Sequence, residues 1–189
     1  MPDMTLELLD WRRRVADLYA AVRADDDPAR AHDLWRRTRD ELFATHPQSP
    51  GRGPLNVAPY DERWRAEVAV DPVDAVELRV DTGTDGTVVF DRVGVLTTPW
   101  GPLDVWQLRQ YAQGWWVPLK DTSPRTYGGG RYLLDTAKGA DLGLAGGDRL
   151  VVDLNFLYHP SCRYNPDWQC PLAPAGNAVV ARACGGEQL

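Results

Sequence analysis

Apolar residues recur every three or four positions through the first 45 residues and every second position after Trp64. That change of period restricts the chain to a helical segment followed by a β-rich body. Leu8, Trp11, Val15, Leu18 and Val22 form one helical stripe, with Arg12, Arg13, Arg14 and Asp17 between them. Asp25-Asp26-Asp27-Pro28 ends that helix and starts another, because Asp suits an N-cap and Pro the first helical position. Ala31, Leu34, Trp35, Thr38 and Leu42 continue the period up to Pro47, and His32 is expected on the solvated face. The two helices form a hairpin, and a pair this short needs the rest of the chain to pack against.

Residues 47–60 hold Pro47, Pro50, Gly51, Gly53, Pro54 and Pro59, a density that predicts an irregular connection. Alternation then runs through Trp64, Ala66, Val68 and Val70, and again through Val76, Leu78 and Val80. Asp85-Gly86 is a hairpin signal leading into Thr87–Leu96. Further strands are expected over 103–111, 115–119, 132–135, 150–156 and 178–183. No helical pattern separates these strands, so they form an antiparallel meander that favours a barrel or strongly curved sheet. The expected fold is α+β, with an N-terminal helical hairpin packed on an antiparallel, barrel-like sheet. A chain of 189 residues fits a single domain: a helical cap over 1–46, a connecting loop over 47–63 and a β-rich body over 64–189.

Charge narrows the partners. The net charge of −6 opposes nucleic-acid binding, which needs a basic patch to displace counterions from phosphate. No stretch reaches the roughly 18 apolar residues of a membrane span. The N-terminus lacks a basic region followed by an apolar run, so a soluble, cytoplasmic protein is expected.

The residues hardest to assign to core or to solvated surface fall between 121 and 177, among glycines and prolines. A polar pocket is expected over residues 126–177. The run Thr126-Tyr127-Gly128-Gly129-Gly130-Arg131 has two readings: a backbone cradle for an anion with Arg131 beside it, or a tight turn between strands. It lacks the Gly-Lys-Ser/Thr ending of a P-loop. Asp153 and Asn155 are two apart on an expected strand and so share a face. Lys138 is a candidate partner for Asp153, as an acid–base pair or as a structural ion pair. On the catalytic reading Lys138 and Asp153 carry the chemistry. Thr126, Tyr127, Arg131, Asn155 and Tyr158 bind the ligand, and Trp115, Trp116 and Trp168 wall the site.

His159, Cys162, Cys170 and Cys184 offer a zinc set of poor spacing, since structural sites open with two to four residues between cysteines. A Cys162–Cys170 disulfide, free thiols, and a nucleophilic Cys162 paired with His159 or His46 are the other readings.

Taken together, Tyr127-Gly128-Gly129-Gly130-Arg131-Tyr132-Leu133-Leu134-Asp135, Lys138-Gly139, Asp153-Leu154-Asn155-Phe156, Pro160-Ser161-Cys162, Cys170-Pro171-Leu172-Ala173-Pro174 and Asn177 resemble an uncharacterised microbial family. It is catalogued as domain of unknown function 1684. The Trp11-Arg12 helix, His46 with Ser49-Pro50, and Tyr60-Asp61 with Trp64-Arg65 extend the resemblance over nearly the whole chain. Arg131, Lys138, Asp153, Asn155, Cys162, Cys170 and Asn177 match its motif. His159 stands where the pattern implies Asn, and Cys184 where it implies a small residue, which weakens the zinc reading. The resemblance transfers no activity and no cofactor. The expectation is a small-molecule-binding domain with a polar pocket in residues 126–177, an enzyme on one reading. The alternative is a non-catalytic structural or interaction domain whose C-terminal motif staples the fold.

Overall fold

The structure, a computed structural model, describes residues 2–82 and 86–189, with the side chains of residues 2–5 left out of the description. Helix α1 spans Pro2–Ala24 and α2 Pro28–Thr45. Asp27 caps α2 as its residue type predicts, its carboxylate accepting from the amides of Ala29 and Arg30, with Pro28 in the first turn. Among the described residues, no helix is long and apolar enough to cross a membrane.

The strands are β1 (Asn56–Val57), β2 (Arg65–Asp71), β3 (Glu77–Asp81), β4 (Thr87–Thr98), β5 (Gly101–Leu108), β6 (Trp115–Leu119), β7 (Arg131–Asp135), β8 (Arg149–Asp153) and β9 (Glu187–Gln188). The main sheet runs β7-β6-β5-β4-β2-β8, with β3 also paired to β4. Every pairing is antiparallel, and the sheet curls into a half-barrel. Strand β4 changes neighbours along its length: residues 87–91 pair with β3 and 95–96 with β2. The changeover coincides with a bulge against β5 between Arg92 and Gly94. Bulges sharpen twist. Gly94 is needed there, because a Cβ would lie 2.3 Å from Val70 Cγ1. Asp85 of the expected Asp85-Gly86 turn lies outside the described residues, while the strands on either side pair from Asp81 to Thr87.

One buried cluster fills the half-barrel around Leu96, Leu103, Val105, Val117, Leu154 and Leu157. A second joins the helices to the sheet through Leu18, Tyr19, Val22, Trp35, Trp116, Tyr132 and Phe156. Both helical stripes point at this second cluster, as their period requires.

Four expectations change. The strand expected to reach Phe156 stops at Asp153, whose carboxylate accepts the Asn155 amide at 3.0 Å and turns the chain into a one-turn 3-10 helix, Leu154–Phe156. Residues 178–183 form no strand: Ala178 makes a single parallel bridge to Lys120, and side chains then take the carbonyls that a sheet neighbour would have taken. The terminal residues instead pair with the connection, β9 against β1, so residues 56–57 are ordered. His32 is 3% exposed, not solvated, because its ring is packed among Trp35, Tyr60 and Phe156.

Candidate functional site: a cavity beneath the helical hairpin

Where the helices meet the sheet, packing leaves a cavity of about 110 Å³. Helix α1 contributes Leu8, Trp11, Arg12, Val15 and Tyr19, and α2 contributes Arg39 and Phe43. The opposite wall comes from Lys138, Ala140, Tyr158, His159, Ser161 and Trp168. Most of this lining is apolar or aromatic. The polar groups are few and specific, which is the usual composition of a small-molecule site.

Arg39 forms the floor. Its guanidinium lies 5.1 Å from the Trp35 ring, 5.4 Å from Phe43 and 5.0 Å from Tyr158. The same group makes a two-toothed ion pair with one oxygen of Glu187, which is 1% exposed. The other Glu187 oxygen accepts the His159 amide at 2.7 Å and the Tyr164 hydroxyl at 2.8 Å. Burial pushes His159 down to about 4, the nearby arginines add to this, and Glu187 opposes it. Its Nε2 accepts the Tyr127 amide at 3.4 Å, a role open only to an unprotonated nitrogen. Tyr19 donates nothing further into the protein: its hydroxyl receives the Trp35 indole N–H at 3.1 Å, and burial raises it to about 12.

Tyr158 differs. Its hydroxyl is buried and has no hydrogen-bond partner among the described residues. A buried phenol normally finds one, since leaving it unmatched costs about 1–3 kcal/mol.

Of the catalytic and ligand-binding candidates, Lys138 and Tyr158 line this cavity, whereas Thr126, Tyr127, Arg131, Asp153 and Asn155 do not. Lys138 does not pair with Asp153. Its ammonium is 3.4 Å from Asp135, three residues back at a 3-10 turn, and 5.3 Å from the Tyr132 ring. Asp153 faces Arg65, its register partner on β2, at 3.5 Å. Burial raises the Asp153 carboxyl, against the pull of the Asn155 bonds and of Arg65. Asn155 clamps Asp61 from both sides, accepting its amide at 3.1 Å and donating to its carbonyl at 2.9 Å.

Arg131 is fully buried and holds the C-terminal segment, donating to the carbonyls of Ala183, Gly185 and Glu187 and to Asp121. Thr126 donates to the same Asp121 at 2.9 Å. The glycine run makes a turn, the Gly130 amide donating to the Tyr127 carbonyl at 2.9 Å. Asn177, also fully buried, accepts the Trp106 indole and donates to the carbonyls of Asp104 and Pro118.

Trp168 walls the cavity as expected, whereas Trp116 is buried against Phe90 and Tyr132, and Trp115 packs at the edge of the half-barrel core. Cys162 and Cys170 are free and adjacent, the Cys162 amide donating to the Cys170 sulfur at 3.4 Å, and Cys184 is exposed. Among the described residues, no three His, Cys, Asp or Glu side chains gather as a metal site.

Sequence reasoning places Trp11 and Arg12 on the first helix without assigning them to a site, and passes over Tyr19, Arg39, Phe43 and Glu187. Arg39 leaves a signal: it stands four residues after Trp35 and three before Leu42, a charge inside the apolar stripe. Glu187 leaves none, because its burial depends on the terminal strand reaching α2.

A family model described as "Protein of unknown function (DUF1684)" matches residues 53–188. The chain belongs to this family. The match begins after the helical hairpin, so in this member the family's region supplies one wall of the cavity and the helices the other. Among solved structures, the chain is similar to an uncharacterized protein of Haloarcula marismortui determined in solution by NMR. The two share 27% identity with a TM-score of 0.56, over 82% of this chain and 90% of that one. No curated protein matches the chain.

Proposed function

We propose that the protein binds a small, largely apolar molecule in the cavity between the helical hairpin and the half-barrel. The composition of the lining carries this reading: apolar and aromatic side chains from the helices and from the β-rich body enclose one space, with a few polar groups set among them. On this reading the helices and the β-rich body act as one unit, because neither encloses the space alone. The net charge of −6 supports a small molecule over nucleic acid, and the cytoplasm is the compartment proposed. Indole, followed by saturation-transfer NMR, is expected to bind the wild-type chain. Ala140→Leu and Ser161→Phe, which fill the cavity from two points on the wall facing the helices, are expected to weaken it on the order of tenfold or more while the circular dichroism stays native. Unchanged indole binding in both variants would sink the reading.

A second reading applies to different residues. Arg131, Asn155 and Asn177 spend their hydrogen bonds on distant backbone groups, which supports a role for the C-terminal motif as a staple of the fold.

A further inference from the structure

The cavity has a sign. Among the described residues, its ionisable lining includes three cations, Arg12, Arg39 and Lys138, and no carboxylate, in a chain that carries 27 acidic against 21 basic residues. Arg39 is neutralised by Glu187, which lies behind it and outside the lining. Arg12 has no carboxylate partner among the described residues. Its guanidinium donates to the Ala137 carbonyl at 2.7 Å, which sets it beside Lys138, the next residue. Lys138 is held at 3.4 Å by Asp135 and leans over the Tyr132 ring, and Asp135 does not line the cavity. Two cations from opposite walls, one on α1 and one from the sheet side, therefore line the same cavity. His159 adds no charge, since burial keeps it neutral.

We infer that the ligand is a small carboxylate with an apolar body, its anionic end held between Arg12 and Lys138 and its body among Trp11, Val15 and Phe43. A planar guanidinium suits two-point contact with a carboxylate, and the ammonium supplies a flexible second charge. Both cations belong to the cavity, so this inference rests on the binding reading above and adds the chemical class. Recognition is a matter of binding alone and includes no covalent step.

The test is calorimetric titration of two matched probes, 3-phenylpropionate and its neutral amide 3-phenylpropanamide, into the intact chain. The carboxylate is expected to bind about tenfold more tightly, in keeping with one charge-assisted contact at a partly exposed rim. In Arg12→Gln and Lys138→Gln the ratio of carboxylate to amide affinity should fall to about threefold or less, with the fold retained by circular dichroism. Both residues are solvent-accessible, so neither change removes core packing. Equal affinity of the two probes for the wild-type chain would overturn the anion inference while leaving the cavity reading intact. A carboxylate advantage that survives both variants would overturn it too, by moving the charge recognition elsewhere. If neither probe binds, the cavity reading fails and this inference fails with it.

Discussion

A buried histidine that accepts a backbone amide on one ring nitrogen is held neutral, and His159 is in that position. Its folded value of about 4 lies below the usual 6.5, so the unfolded chain takes up a proton first as pH falls. The sign follows from linkage: the contribution is complete above about pH 6.5 and is lost as pH drops from there toward 4. The loss expected is roughly 3 kcal/mol by pH 4, of which roughly 2 kcal/mol falls between pH 7 and pH 5. Urea unfolding at pH 7 and pH 5 should show it, and His159→Gln, which keeps an acceptor for the Tyr127 amide, should flatten the slope. Burial lowers His32 as well, so part of the slope remains in that variant. An unchanged slope would show that His159 is solvated. The polar residues that the sequence singles out behave in the same structural manner. Arg131 and Asn177 were legible as unusual because they stand among glycines and prolines, but the carbonyls that Arg131 holds lie 52–56 residues away and the partners of Asn177 lie 59–73 residues away. Residue type reveals that a group needs partners and says nothing of which ones it finds.

At the scale of the element, local chemistry was sufficient wherever the stabilising partners are near in sequence. The break at Asp25–Pro28 and the start of α2 follow from an aspartate whose donor amides lie two and three residues on. Asp27→Ala is expected to lower stability by about 1 kcal/mol, read as a shift in urea midpoint at constant slope. A change below about 0.3 kcal/mol would mean that the cap is replaced by water. The meander of β3 to β6 was equally legible, since each strand pairs with a neighbour one turn away and alternates accordingly. The elements that differed are those whose pairing is non-local. Strand β9 meets β1 across more than a hundred residues, and two-residue strands show no alternation to detect. The end of β8 was decided by a side chain, Asp153, capping its own successor turn.

For the whole molecule, the Arg39–Glu187 pair joins three parts of the chain at one buried point. Arg39 comes from α2 and Glu187 from the terminal strand, while His159 and Tyr164 come from the segment that walls the cavity. Removing one member strands the other's charge in a low-dielectric interior, which typically costs about 3–5 kcal/mol. Arg39→Met and Glu187→Leu should each destabilise by about that amount, and the double variant by clearly less than their sum. Chemical denaturation of all three chains gives the cycle, and strict additivity would show that the two side chains do not meet.

The sequence by itself determined the α+β class, the helical hairpin, the antiparallel meander and the segment rich in polar anchors, because period, caps and turns act over a few residues. Tertiary structure decided which of those polar residues hold the backbone and which face open space. It also decided that the cavity lies against the helices. Enclosure is a property of two surfaces brought together, and neither helical spacing nor strand alternation records what the other will leave unfilled.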